Sequence, residues 1–353
     1  MRYHLECLRC CSIFESDYDK QICGKCSGIL EVVYERNPRI PKGNPNSFWD
    51  FLPALPSGSY RKYEVGLTKT IKSTDLPNTY MKMEIGNPTH SFKDRGSVIE
   101  VGKARDYGYN EVVCASTGNM AYSVAYYSKL YGIRAKIFIS NNASRDKVRD
   151  IRETHDAEVT RVNGDFNKAQ RLAEAYSKRN GAFLTGDYCY RKEGQKTIAY
   201  EIMLNGKGVN SIVVPVGNAT LLSGTFKAVK ELKAAKRISK TPAVIGVEAS
   251  SCSPLYKAFT RARGVEYETP KTMADAIAVG YPTYGDQAIQ YMHKYGGSMM
   301  TVSEAEMSKE QLSFTNRYGL PVELAGVASL AAIRGSKGIP KEIKVAVVTG
   351  ANV

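Results

Sequence analysis

The sequence predicts an α/β protein, two three-layer domains built on parallel sheets and led by a small cysteine-bearing segment. Three observations predict it. Apolar, β-rich stretches alternate with helical ones from about residue 80 to the end, the pattern that crossover connections between parallel strands produce. The chain has 353 residues and a mass of 38.9 kDa, more than one core of ~100–200 residues fills. Five of the eight cysteines, Cys7, Cys10, Cys11, Cys23 and Cys26, stand ahead of the alternating region.

Composition narrows the class. With 43% hydrophobic and 24% charged residues the chain has ample material for sizeable cores, which excludes disordered and fibrous classes. Apolar runs such as Ile212 to Val216 fall far short of the ~20 residues that cross a bilayer, so no membrane span is expected. The opening Met-Arg-Tyr-His reaches two cysteines before any apolar stretch, so no secretory leader is expected and cytoplasmic residence follows. The 49 Lys and Arg against 35 Asp and Glu give +14. These charges are scattered, as in Lys227 to Lys230 and Lys233 to Arg237, which fits a solvated positive surface able to attract anionic small molecules.

At the amino end, Cys7-Leu-Arg-Cys10 and Cys23-Gly-Lys-Cys26 are separated by twelve residues. Each pair forms a turn that aims two thiolates at one tetrahedral zinc. Ser12 to Phe14 and Ile29 to Tyr34 supply strands for a zinc-ribbon-like segment over residues 1–35. Cys11 is not expected as a ligand, and His4 offers a competing nitrogen. Closure by four cysteines leaves no open coordination position, so such a metal would be structural.

Strands are then expected over Tyr80 to Ile85, Glu111 to Ala115, Ala135 to Ser140, Glu158 to Val162, Ser211 to Val216, Ala243 to Val247 and Ile343 to Thr349. Helices are expected over Asp94 to Tyr107, Asn119 to Tyr131, Ser144 to Thr154, Phe166 to Arg179, Gln195 to Leu204, Thr220 to Lys236 and Gly326 to Gly335. In such folds ligands bind beyond the carboxyl ends of the strands, and three loops there carry chemistry. Val216 to Leu221 offers unpaired N–H groups at a helix N-terminus, a cradle for an anion; it lacks both nucleotide fingerprints, so a phosphate without a nucleotide is expected. Ser116-Thr-Gly-Asn119 is a second cradle, suited to a carboxylate. Lys93 opens a helix beside Arg95, which disfavours its charged form, as a lysine nucleophile requires.

The ordered set Ser91-Phe-Lys-Asp-Arg-Gly96, Ala115-Ser-Thr-Gly-Asn119, Arg191-Lys-Glu-Gly-Gln-Lys-Thr197, Val216-Gly-Asn-Ala219 and Val347-Val-Thr-Gly350 resembles the tryptophan-synthase-β family of pyridoxal-phosphate enzymes, and within it the threonine synthases. Phe48 to Pro53 and Leu320 to Ser329 extend the resemblance over essentially the whole chain. It implies a large cofactor domain from residues 36–92 and 206–353, a small substrate-closing domain from 93–205, and pyridoxal 5'-phosphate between them. Lys93 would be the catalytic lysine that carries the cofactor. Asn119 would meet its phenolic oxygen, Gly217, Asn218, Ala219 and Thr220 its phosphate, and Thr349 its ring nitrogen. Ser116, Thr117 and Asn119 would receive the substrate's carboxylate and Arg191 its phosphate, with Thr185 also among the substrate-binding residues.

The implied reaction converts O-phospho-L-homoserine and water to L-threonine and phosphate, which also accounts for part of the positive charge. The implied partners are a phosphorylated amino acid and a second copy of the chain in a homodimer, with neither nucleic acid nor membrane. Cysteate synthase and threonine/serine dehydratase are alternatives on the same fold. From another class, a zinc ribbon with basic charge would suit a nucleic-acid-binding protein, although the chain has no basic platform interleaved with aromatics.

Overall fold

The computed structural model describes the chain except residues 117, 141–147, 150, 154–155, 165, 206–207, 337–338, 340 and 352–353, and leaves the side chains of 140, 166 and 167 undescribed. In chain order the strands are β1 (Tyr3–Cys7), β2 (Ile13–Phe14), β3 (Leu30–Tyr34), β4 (Thr70–Lys72), β5 (Thr79–Met83), β6 (Glu111–Ala115), β7 (Arg134–Ser140), β8 (Glu158–Val162), β9 (Phe183–Leu184), β10 (Ser211–Pro215), β11 (Ala243–Ala249), β12 (Gly297–Val302) and β13 (Lys344–Val348). The helices are α1 (Lys93–Asp106), α2 (Asn119–Tyr131), α3 (Phe166–Asn180), α4 (Cys189–Gln195), α5 (Thr197–Leu204), α6 (Thr220–Ala234), α7 (Pro254–Arg261), α8 (Gly285–Tyr295), α9 (Glu304–Tyr318) and α10 (Ala328–Gly335). Among the described residues no helix is long and apolar enough to cross a membrane.

Two compact units divide the chain. The first holds residues 1–38, 52–65 and 93–194, the second 39–51, 66–92 and 195–353. In the first, β2, β1 and β3 form an antiparallel sheet. Tyr3, Leu5 and Cys7 are buried while His4 and Glu6 are half-buried, the alternation of a strand with one face covered. Four parallel strands follow in the order β8-β7-β6-β9, with Val113, Phe138, Val162, Ala169 and Ala173 in the core beside them. Tyrosines join the two sheets' surroundings. Tyr190 hydroxyl lies 3.1 Å from that of Tyr3 and 2.6 Å from that of Tyr107, and Lys103 Nζ sits 4.2 Å above the Tyr107 ring.

The second unit is built on six strands in the order β12-β11-β10-β13-β5-β4, parallel except for the antiparallel edge strand β4. Strands β10 and β13 lie in the middle of the sheet and are buried at all five positions, which explains their unbroken apolar sequences. Several expectations are corrected here. The strand expected over Tyr80 to Ile85 gives way to a 3-10 turn at Glu84, where a buried carboxylate accepts Thr68 Oγ1 at 2.6 Å and Asn87 Nδ2 at 2.9 Å. The helix expected from Gln195 starts at Thr197, Gln195 instead ending the separate helix α4, and the one expected from Gly326 starts at Ala328 after a 3-10 turn. Most of the helix expected over 144–154 lies outside the described residues. Strands β1, β4, β9 and β12 and helices α4, α7, α8 and α9 were not expected.

The strand order of the second unit places the candidate loops. Strand β13 sits between β10 and β5, and all three are parallel, so the chain leaves their carboxyl ends on one edge of the sheet. Residues 216–219 follow β10, residues 349–351 follow β13, and residues 84–92, which lead to Lys93, follow β5. A reversal of strand order of this kind opens a crevice at that edge.

Candidate active site

The segment ahead of Lys93 is clamped to the end of β13. Phe92 N–H donates to the Thr349 carbonyl and Ala351 N–H to the His90 carbonyl, each at 3.0 Å, and Ser91 pairs with Gly350. His90 takes a positive φ of 57° to enter this pairing. Thr349 is therefore bonded to the immediate chain neighbour of Lys93. Ser91 is fully buried, and its hydroxyl has no hydrogen-bond partner among the described residues.

Lys93 is the first residue of α1, with a side chain 16% exposed and its Nζ 3.8 Å from Asp187. Its backbone is gripped from the side. Arg191 Nη1 donates to the Lys93 carbonyl at 3.2 Å, Nε to the Gly186 carbonyl at 2.7 Å, and Nη2 to Ser97 Oγ at 3.2 Å and Glu100 at 2.7 Å. Burial pushes the Glu100 carboxyl above its ordinary range, against the pull of the guanidinium and of N–H donors from Gln21 and Gly186. The packing is close enough to demand glycines. A Cβ on Gly96 would stand 2.5 Å from Arg191 Cγ, and one on Gly194 would stand 1.9 Å from the Arg95 carbonyl oxygen. Arg191 thus faces inward; meeting a substrate phosphate would require its guanidinium to leave Glu100.

The cradle after β10 is built by backbone. Ala219 adopts the left-handed conformation with φ 59° and caps α6, whose first bond runs from Ser223 N–H to the Ala219 carbonyl at 2.9 Å. The opening N–H groups of a helix have no partner within it and carry the positive end of its dipole. Gly217 is closely packed: a Cβ there would lie 3.1 Å from the Ala276 carbonyl oxygen and 3.3 Å from Ile277 Cα. Asn218 is fixed from outside: its carbonyl accepts Tyr284 N–H at 3.0 Å and its Oδ1 accepts Thr283 Oγ1 at 3.1 Å. Thr220 is buried at the first helical position.

The remaining loops sit at neighbouring strand ends of the first unit. Strands β6 and β9 are parallel neighbours. Ser116 follows β6, donates its N–H to the Phe138 carbonyl at 3.1 Å and accepts Gly118 N–H at its Oγ, 3.3 Å away. Asn119 opens α2. Thr185 follows β9 and is tied through both N–H and hydroxyl to the Val113 carbonyl, at 2.8 and 3.1 Å. Thr117 lies outside the described residues. Asp187 beside Lys93, Glu100 beside Arg191, and Gln21 bonded to Glu100 were not singled out by sequence, and no local motif marks them.

Far along the same unit, Cys7, Cys10, Cys23 and Cys26 bring their sulfurs within 4.8 Å of one another. The two turns are alike: Arg9 N–H donates to Cys7 Sγ and Lys25 N–H to Cys23 Sγ, both at 3.4 Å. Cys11 is exposed and turned away in a positive-φ conformation, and His4 is not in the group.

A model of the family described as pyridoxal-phosphate dependent enzyme matches residues 62–350. The chain belongs to that family. The family span begins after the cysteine segment, which stands ahead of it. Among curated relatives, the threonine synthase of Methanosarcina acetivorans is 31% identical over 94% of this chain and 86% of its own length. That of Methanocaldococcus jannaschii is 30% identical over 93% of this chain and 86% of its own. Among solved structures, the processed form of threonine deaminase isoform 2 from Solanum lycopersicum aligns with a TM-score of 0.74 at 22% identity, covering 91% of this chain and 90% of that one. At that identity it speaks for the fold alone.

Proposed function

We propose that this family member is a threonine synthase, converting O-phospho-L-homoserine and water to L-threonine and phosphate. The observation that carries this reading is the likeness to the Methanosarcina enzyme, 31% identical over 94% of the chain. The residues suit the cofactor. A bare Gly217, a left-handed Ala219 and the first turn of a fifteen-residue helix make a receptor for a phosphate monoester. When bound, pyridoxal phosphate supplies an electron sink for charge developing on the substrate.

The chain's own residues do the rest in this reading. Lys93 would carry the cofactor and would move protons at the substrate's Cα and Cβ. Asn119 would meet the cofactor's phenolic oxygen, and Gly217, Asn218, Ala219 and Thr220 would hold its phosphate. Thr349 would meet the ring nitrogen with a neutral hydroxyl, which would temper the electron withdrawal that the cofactor supplies. Ser116 and Asn119 receive the substrate's carboxylate. Arg191, paired with Glu100, orients Lys93. The cysteine tetrad holds a structural zinc, four sulfurs closing the coordination sphere.

Absorption spectroscopy and phosphate release test the reading. The purified protein with pyridoxal phosphate should show a visible band that borohydride abolishes and that Lys93→Ala lacks. Phosphate should be released from O-phosphohomoserine. Release from O-phosphoserine only in the presence of sulfite would instead assign the chain to cysteate synthesis, and no band in the wild type would end the cofactor reading.

A further inference from the structure

Gln21 lies between the two cysteine pairs, two residues before Cys23, and is only 2% exposed. Its amide is engaged on both sides. Nε2 donates to Glu100 Oε1 at 2.9 Å and to the Leu184 carbonyl at 2.6 Å. Oε1 accepts Tyr190 N–H at 3.4 Å and the Cys189 thiol at 3.8 Å. Glu100 passes the connection to Arg191, and Arg191 Nη1 reaches the Lys93 carbonyl. A side chain of the cysteine segment therefore begins a buried array that ends on the backbone of Lys93.

We propose that Gln21 is a positioning residue for Lys93, acting through Glu100 and Arg191, so that the cysteine segment is a working part of the active site. The proposal rests on Lys93 as the lysine that carries the cofactor. Glu100 Oε1 has two N–H donors, from Gln21 and from Gly186 at 2.9 Å. With the Gln21 donor gone, a fully buried carboxylate is left under-bonded and must rotate or move to regain a partner. Arg191 presents its donors in a rigid planar fork. A shift of Glu100 at Nη2 is thus transmitted to Nη1 and to the Lys93 carbonyl. Small misplacement of a reacting group costs rate disproportionately.

The test uses the full chain loaded with pyridoxal phosphate. Gln21→Met keeps the length and apolar stem and removes the amide. It should lower kcat on the order of tenfold with KM for O-phosphohomoserine changed by less than about twofold. It should also weaken the visible circular-dichroism band, which reports how firmly the bound ring is held. Asp19→Asn, a change in the same segment that leaves this array intact, should match the wild type in both readouts. Gln21→Asn, with its amide on a shorter stem, should lie between Gln21→Met and wild type, and is read alone should Gln21→Met fail to fold.

A wild-type band with kcat and dichroism unmoved in the Gln21 variants would overturn this proposal alone. So would equal losses in Asp19→Asn, which would mark a general structural effect. A wild type with no band at all would overturn the cofactor reading and this proposal with it.

Discussion

Glu100 and Arg191 meet 2.7 Å apart with no exposed side-chain surface on either residue. Neither can find water if the other is removed, and the guanidinium cannot discharge. Glu100→Ala should therefore destabilise the protein by about 3–5 kcal/mol, the usual consequence of stranding a buried charge. Combining it with Arg191→Met should destabilise by less than the two single changes added together. Urea midpoints of the three variants check this; strict additivity would show that the two charges are not coupled.

Close packing between α1 and α4 makes a second, sharper prediction. The Cβ of Gly194→Ala would sit 1.9 Å from the Arg95 carbonyl oxygen and 2.9 Å from Gly96 Cα, both backbone atoms that cannot step aside. Overpacking of this kind costs about 1–3 kcal/mol or more, and because it presses on the first turn of α1 it should reduce cofactor retention as well. Gly264→Ala, with nothing within 4 Å of the added carbon, should change stability by no more than about 0.5 kcal/mol. Thermal melts and gel-filtered cofactor content of the two variants give the comparison.

Metal analysis addresses the cysteine tetrad. Wild type should carry one zinc per chain, and Cys23→Ser should lose it. Gly28→Ala should lower metal affinity without removing a ligand, because its Cβ would press on Cys7 Sγ at 2.9 Å and Cys26 Sγ at 3.2 Å. Chelation should lower the melting temperature of the wild type, since metal bound only to the folded form stabilises it by mass action. Equal metal content in wild type and Cys23→Ser, including none in either, would dismiss the site.

Local chemistry explains what was legible in the sequence. Strands β6 and β8 and helix α2 fall on the residues that periodicity marks, and α2 stops where Gly132 takes the left-handed conformation. The loops after β10 and before α1 announce themselves by composition, since turns into helices need small residues and free N–H groups. Between residues 254 and 318 the signal is weaker. Gly297-Ser-Met-Met-Thr-Val302 is mostly half-buried, with no clean alternation. Helix α9 does carry a Ser303-x-x-Glu306 capping box, with both reciprocal bonds formed, so that helix was readable from its first turn.

Partners of the candidate site were not legible, for a physical reason. Arg191 and Glu100 are 91 residues apart, and Gln21 and Glu100 are 79 apart. Only the tertiary fold decides which carboxylate answers which donor. An isolated buried glutamine in a cysteine-bounded turn looks like any other polar loop residue until its neighbours are known.

Stability should depend on pH through Glu248. Its carboxyl is pushed up to about 8 from the ordinary 4.5, chiefly by burial, against the N–H groups of Tyr256 at 2.7 Å and Leu255 at 3.2 Å. Nearby Glu268 raises it further, and Lys257 lowers it. The folded protein then keeps a proton that the unfolded chain releases, so this contribution is complete below about pH 4.5 and is lost as pH rises through about 8. Between those limits stability should fall by at most about 1.4 kcal/mol for each pH unit from this group. Glu248→Gln removes the titration while keeping the shape. Denaturant-unfolding free energies at intervals from pH 5 to 8 should therefore decline more steeply in wild type than in the variant. Parallel curves would mean that the carboxylate remains ionised, with the two helix N–H groups outweighing burial.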